Sequence, residues 1–74
     1  MIEKYRDAYP YVHHFAADWD RATTSHSNWV EWTEKRRQIA IWINDQQIKH
    51  WIEGNAVYMF AFEKDYNWFV LRWT

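Results

Sequence analysis

The second half of the chain alternates short apolar segments with polar breaks, a pattern that predicts an antiparallel sheet. Isoleucines occupy every second position of residues 38–44, which is the repeat of a β-strand. Apolar segments rich in residues that suit a pleated surface follow at residues 48–53, 57–63 and 68–74. We therefore predict a β-meander of four consecutive strands in this half of the chain.

Gly54-Asn55 has the composition of a tight hairpin turn, because glycine accepts positive φ without a Cβ clash. With Ile52 opposite Val57 across this turn, the side chains separate by chemistry into two faces. The mainly aliphatic face is expected to hold Ile39, Ile41, Ile43, Ile48, His50, Ile52, Val57, Met59, Ala61, Trp68, Val70 and Arg72. The mainly aromatic face is expected to hold Ala40, Trp42, Lys49, Trp51, Tyr58, Phe60, Phe62, Phe69, Leu71 and Trp73.

The first half of the chain predicts one helix over residues 10–23. Pro10 is favoured at the first position of a helix, and the polar residues 23–28 favour its end. Between them, four apolar residues recur at the spacing that places them on one side of a helix. These residues are Val12, Phe15, Ala16 and Trp19. We expect this helix to cover one face of the sheet.

Residues 29–33 permit two interpretations, which differ in the number of strands. As a helix, the segment has Asn28 as its N-cap and Glu31 as the partner in a capping box. As a strand, it alternates and continues the spacing of about ten residues between segment centres, which favours the strand. The predicted fold class is α+β, with an N-terminal helix packed on a four- or five-stranded antiparallel β-meander.

Composition predicts a single domain spanning residues 1–74 with an aromatic core. Seven Trp, five Tyr and four Phe supply large apolar surfaces, and the absence of Cys excludes disulfides and thiolate metal sites. No apolar run approaches the ~20 residues that span a bilayer, and the N-terminus lacks the form of a signal peptide. We therefore expect a cytoplasmic protein without a cofactor. The formal net charge of −1 gives no global attraction to nucleic acid or to membranes.

Two short motifs resemble reactive sites but favour structural roles. His13-His14 with Asp18 offers metal-ligating groups, yet adjacent histidines point to different sides of a helix and no second pair follows. The sequence Ser25-His26-Ser27 offers a nucleophile beside a base, without an orienting group or an oxyanion hole. We therefore predict neither catalysis nor metal binding.

One helix covers only one face of the predicted sheet, so the other apolar face predicts a protein partner. The chain is expected to be a small non-enzymatic protein–protein interaction module. Its predicted role is an inhibitor or modulator of a larger protein, in the style of virus- or mobile-element-encoded proteins, with homodimerisation also expected. The predicted partner-binding residues are Ile39, Ile41, Ile43, Ile48, His50, Ile52, Trp68 and Arg72.

A single-stranded nucleic-acid binder is the alternative function. Lys35, Arg36 and Arg37 form the basic cluster of the sequence, which suits contacts with phosphates. Exposed aromatic rings beside it would stack on bases. The rings assigned to this role are Trp42, Trp51 and Tyr58.

Overall fold

The computed structural model describes residues 7–74 and contains three helices and a three-stranded antiparallel sheet. The fold class α+β is therefore confirmed, whereas the number of strands and the order of the first elements differ from the prediction. In chain order the elements are β1 (Tyr11–His14), α1 (Ala16–Ala22), α2 (His26–Asp45), β2 (His50–Glu53), β3 (Val57–Phe60) and α3 (Glu63–Trp73).

The sheet has the strand order β1-β3-β2, with β3 in the centre. Strands β2 and β3 form the predicted hairpin, and Gly54 in its turn has a φ of 62°. The register differs by one residue from the prediction, since Val57 lies opposite Glu53 and Ile52 lies opposite Tyr58. A longer turn than the predicted minimum causes this shift, which moves every side chain of one strand to the other face.

Strand β1 replaces the first turn of the predicted helix 10–23. Val12 lies opposite Met59, and the pairing with β3 continues beyond the strand because the Phe15 N–H donates to the Ala56 carbonyl at 2.8 Å. The helix begins only at Ala16 and has seven residues. The prediction of one helix from residue 10 was wrong because pairing with the edge of β3 outweighs the local helical pattern.

Helix α2 replaces the predicted strand at 38–44, and it shows that the helix was the correct one of the two interpretations of residues 29–33, although its N-cap is not Asn28. It has 20 residues, and its N-cap is Ser25, whose Oγ accepts a hydrogen bond from the Asn28 N–H at 3.2 Å. Ile39 and Ile43 are buried one turn apart on its inner side, whereas Ile41 points outward with 53% of its surface exposed. The pattern of alternating isoleucines is therefore compatible with a helix as well as with a strand.

Helix α3 replaces the predicted turn at 64–67 and the predicted last strand at 68–74. Glu63 and Asp65 lie in its first turn, and Arg72 lies in its last turn, as the helix dipole favours. The helix packs on β1 and β3. Its inner side carries apolar residues at helical spacing, namely Tyr66, Phe69, Val70 and Trp73.

The core lies between one face of the sheet and the helices, and Phe69 is at its centre. Its ring centroid is 4.7 Å from Phe60, 5.4 Å from Tyr58 and 5.8 Å from Phe15. Met59 lies on the opposite face of β3 and is also fully buried. The centre of the sheet is therefore covered on both faces, and the predicted open aliphatic face is wrong.

Candidate protein-binding surface

Helix α3 carries apolar side chains on its outer side as well as on its inner side. Leu71 is 85% exposed and Trp68 is 45% exposed, while Phe69 between them is fully buried. Large apolar side chains that are exposed next to one another often mark an interaction surface. The outer side of α3 is thus the feature of the described chain that departs most clearly from a solvated surface.

Trp42 of α2 supports Trp68 from the side. Their ring centroids are 5.0 Å apart at an interplanar angle of 71°, and the Trp42 ring is also 6.1 Å from Trp73. Such edge-to-face contacts are the geometry that aromatic pairs prefer. The Trp68 side chain is therefore positioned by a neighbouring helix, although almost half of it remains open to solvent.

Arg72 completes this region, which we name the α3 surface and define as Trp42, Trp68, Leu71 and Arg72. The Arg72 guanidinium carbon lies 4.6 Å from the centroid of the Trp73 ring, a cation–π contact that orients the charge. Trp and Arg are the residues that most often dominate binding energy at protein interfaces. The composition of the α3 surface is therefore typical of an interface centre.

A second apolar depression lies along the first turns of α2. It has a volume of about 490 Å³ and is lined by His26, Trp29, Val30, Thr33 and Glu34. The Trp29 ring contacts the Trp19 ring at 5.9 Å, so α1 forms one side of this region. The sequence prediction did not name Trp29 and Val30 as binding residues, because it left residues 29–33 open between helix and strand and favoured a strand within the sheet.

A polar cleft of about 330 Å³ lies beside β1, with His13, Asp18 and Lys35 in its lining. The Lys35 Nζ is 3.2 Å from the Asp18 Oδ2 and 5.0 Å from the centroid of the Phe15 ring. Burial lowers the pKa of His13, and the positive charge of Lys35 lowers it further. Lys35 and Asp18 therefore satisfy each other, and His13 acts as a packed ring.

The side chains of the two motifs with reactive groups make structural contacts. His13 faces the core side of β1 and lies 4.5 Å from the Phe15 ring, whereas His14 on the other face is exposed. Among residues 7–74, no group of three potential ligands is arranged to hold a metal ion. Ser25 serves as the cap of α2, and its Oγ lies 3.3 Å from the Ser27 hydroxyl.

The predicted partner-binding residues do not share one surface. Three of them are buried in the core, namely Ile39, Ile43 and Ile48. Two are half-buried on β2, namely His50 and Ile52. Three are exposed on the two longer helices, namely Ile41, Trp68 and Arg72. The common sheet face was a wrong prediction because α2 and α3 are helices, so alternate residues do not point the same way.

The predicted nucleic-acid residues are also separated. Lys35 binds Asp18, and Arg37 donates to the Glu34 carboxylate at 2.7 Å and 2.9 Å from the other side of α2. Tyr58 is 1% exposed, so its ring cannot stack on a base. Of the remaining members, Arg36 and Trp42 are half-buried on α2, and Trp51 is exposed on β2.

Comparisons with protein-family models, with curated protein sequences and with solved structures found no match. Within residues 7–74, no helix combines the length and apolar character needed to cross a membrane. The geometry of the chain itself is thus the basis for a functional conclusion. The feature that this geometry singles out is the α3 surface.

Proposed function

We propose that the chain is a non-enzymatic protein–protein interaction module that binds its partner through the α3 surface. The observation that carries the proposal is the 85% exposure of Leu71 on a helix whose opposite side forms the core. Large exposed apolar groups beside a supported Trp and an oriented Arg are typical of interfaces. The proposal keeps Trp68 and Arg72 from the predicted binding set and adds Trp42 and Leu71.

Burial of this surface against a partner would contribute favourable free energy to binding. Full burial of a leucine side chain contributes about 1.5–3 kcal/mol, and a tryptophan removes roughly 150–250 Å² from water when it is fully buried. Trp68 has already lost about half of its exposure, and its contact with Trp42 fixes its position before binding. Less side-chain entropy is then lost on association, which favours affinity.

The more specific roles stay predictions. They are inhibition or modulation of a larger protein, a viral or mobile-element origin and a cytoplasmic location. The small size of the chain and its Trp-rich surface support an interaction role in general, without selecting among these. The separated positions of Lys35, Arg37 and Tyr58 do not support the nucleic-acid alternative.

Site-specific photo-crosslinking in the cells that express the chain tests the proposal. A photoreactive amino acid replaces Leu71 in one variant and Val30 in a matched variant. Both positions are exposed on helices, but Val30 lies twelve residues before Trp42, about 18 Å along α2. The comparison therefore separates the α3 surface from the depression at the start of α2.

We expect a discrete protein adduct from position 71 that is absent or much weaker from position 30. The adduct mass shows whether the captured protein is a second copy of 9.3 kDa or a larger protein. Adducts from position 30 alone would place binding at the other surface and contradict the proposal. Absence of any adduct from position 71 at native expression would contradict it as well.

A further inference from the structure

We propose that a second copy of this chain occupies the α3 surface, with the two α3 helices packed antiparallel about a two-fold axis at Trp68. The inference rests on the proposed function, because it names the partner of the same surface. It is carried by the distribution of charge along α3 and by the requirement that a two-fold interface complement itself.

Three of the four charged residues of α3, all except Glu63, lie in two rows that meet at Trp68. Asp65, Trp68 and Arg72 follow at spacings of three and four residues, so they lie along one flank of the helix. Lys64, Trp68 and Leu71 follow at spacings of four and three residues along the other flank. One flank therefore has the acidic Asp65 in its first turn and the basic Arg72 in its last turn. The other flank has the basic Lys64 in its first turn and the apolar Leu71 in its last turn.

A two-fold axis at Trp68 reverses the helix direction and keeps each flank on its own side. Asp65 then lies within one residue, about 1.5 Å along the helix axis, of Arg72 in the second copy. On the other flank, Lys64 lies within one residue of Leu71 in the second copy, where its aliphatic stem covers that side chain. Because of the two-fold symmetry, each of these contacts occurs twice, and the two Trp68 rings lie at the centre of the interface.

Both charges are available for such a pairing. The ion pairs among residues 7–74 join Arg21 to Glu31, Lys35 to Asp18 and Arg37 to Glu34, so none includes Asp65 or Arg72.

A parallel arrangement would instead exchange the flanks, so that Asp65 lies opposite Lys64 of the second copy and Arg72 lies opposite Leu71 without an acidic partner. Only the antiparallel arrangement pairs Arg72 with a carboxylate. It also places opposite ends of the helix dipoles side by side, so it is the favoured orientation.

The size of the contact predicts a weak dimer. Helix α3 has 11 residues and is therefore about 16 Å long. An interface of this length lies at or below roughly 1,200 Å², the low end of specific interfaces, even with Trp42 at its border. We expect a dissociation constant on the order of 10⁻⁵ M, which is measurable with purified protein.

Sedimentation velocity of the purified full chain, from about 1 µM to about 1 mM, tests the dimer because this range brackets the expected constant. We expect the mass to rise from that of the 9.3 kDa monomer to twice that value.

Leu71→Lys places a like charge against Lys64 of the second copy and occurs twice in the symmetric interface, so a tenfold loss per copy weakens the dimer about 100-fold. Val30→Lys, an equally polar change at another exposed position, is expected to leave the dissociation constant of the dimer unchanged.

A charge exchange tests the orientation of the helices. Asp65→Lys gives an α3 with basic groups at both ends of one flank, and Arg72→Glu gives an acidic counterpart. Each variant alone is expected to dimerise at least tenfold more weakly than the natural chain. An equimolar mixture is expected to regain association, because both pairs across the mixed interface again have opposite signs. Circular dichroism verifies that each variant keeps its helices.

A natural chain that stays monomeric to the highest concentration overturns the inference, as does a mixture no stronger than its separate components. If Asp65→Lys does not fold, the concentration series and Leu71→Lys still decide whether α3 forms the dimer. A monomeric purified chain whose position 71 crosslinks to another protein would overturn the second-copy inference and leave the proposed function standing. A dimer unaffected by Leu71→Lys would overturn the placement of the interface.

Discussion

Two neighbouring positions on α3 are expected to respond oppositely to substitution. Phe69 is fully buried at the centre of the core, and Leu71 two residues later is 85% exposed. Phe69→Ala should therefore destabilise the monomer strongly, whereas Leu71→Glu should leave it folded. The comparison tests whether the outer side of α3 is a surface for binding or a part of the core.

The expected magnitudes differ by an order of magnitude. Removal of a buried phenylalanine costs about 3–5 kcal/mol through lost burial and the cavity that remains. That loss is comparable with the roughly 5 kcal/mol of total stability expected for a domain of this size, so Phe69→Ala should be largely unfolded.

An exposed side chain contributes within about 0.5 kcal/mol, and a glutamate near the C-terminus of a helix costs a few tenths more. Leu71→Lys removes that dipole cost and serves as the matched control.

Urea unfolding monitored by tryptophan fluorescence provides the assay. The protein concentration is kept well below 10 µM, so that association contributes little to the measured free energy. We expect the curves of Leu71→Lys and the natural chain to superimpose, with Leu71→Glu shifted only slightly. A loss of more than about 1.5 kcal/mol in both Leu71 variants would show that this side chain belongs to the core, and it would refute the assignment of the surface.

Three further predictions concern the scaffold. Ser25→Ala removes the hydrogen bond to the Asn28 N–H and should cost about 1 kcal/mol by urea unfolding, whereas Ser27→Ala should cost less. Gly54→Ala should cost about 1 kcal/mol from its φ of +62° alone, because nothing lies within 4 Å of the added Cβ; a larger loss would contradict this turn geometry.

Folding lowers the pKa of His13 below 6.5, so the unfolded chain binds the proton more tightly and stability should fall as the pH decreases below 6.5. His13→Gln should flatten that part of a pH series of unfolding curves, and an unchanged slope would contradict the burial of the ring.

The hairpin of β2 and β3 was predictable because its information is local. Gly54 permits the positive φ of the turn, and the flanking segments contain residues that suit a pleated surface. The register was off by one residue because sequence composition does not determine turn length. Strand β1 was missed for a different reason, since its partner β3 lies more than forty residues later in the chain.

The two longer helices were misread because their apolar residues fit two periods. Ile39 and Ile43 suit a strand at every second position and a helix at every fourth, and only burial against the core distinguishes the two. A signal for the helix was present, because no Gly or Pro interrupts α2 and Ser25 precedes it as a cap. In α3, Tyr66 was assigned to a turn. The spacing of three and four residues between Tyr66 and Phe69 and Val70, which indicates a helix, was therefore not recognised.

The candidate site was predictable only in its composition. Trp68 and Arg72 were named as binding residues, but on a sheet face that the structure does not contain. Leu71 was assigned to the opposite face and so was left out, since a strand places it away from Trp68 and a helix places it beside Trp68. The composition predicts that some aromatic and aliphatic side chains are exposed. Which of them lie together on one surface depends on the tertiary structure and could not be predicted.

A dilution series of amide and indole nuclear magnetic resonance spectra of the purified chain tests association through α3 directly. We expect concentration-dependent shifts for Asp65, Trp68, Leu71 and Arg72, together with the indole of Trp42, and none at Val30. Spectra that do not change between about 10 µM and about 1 mM would contradict association through α3. Shifts confined to the first turns of α2 would place the interface elsewhere and contradict the claim in the same way.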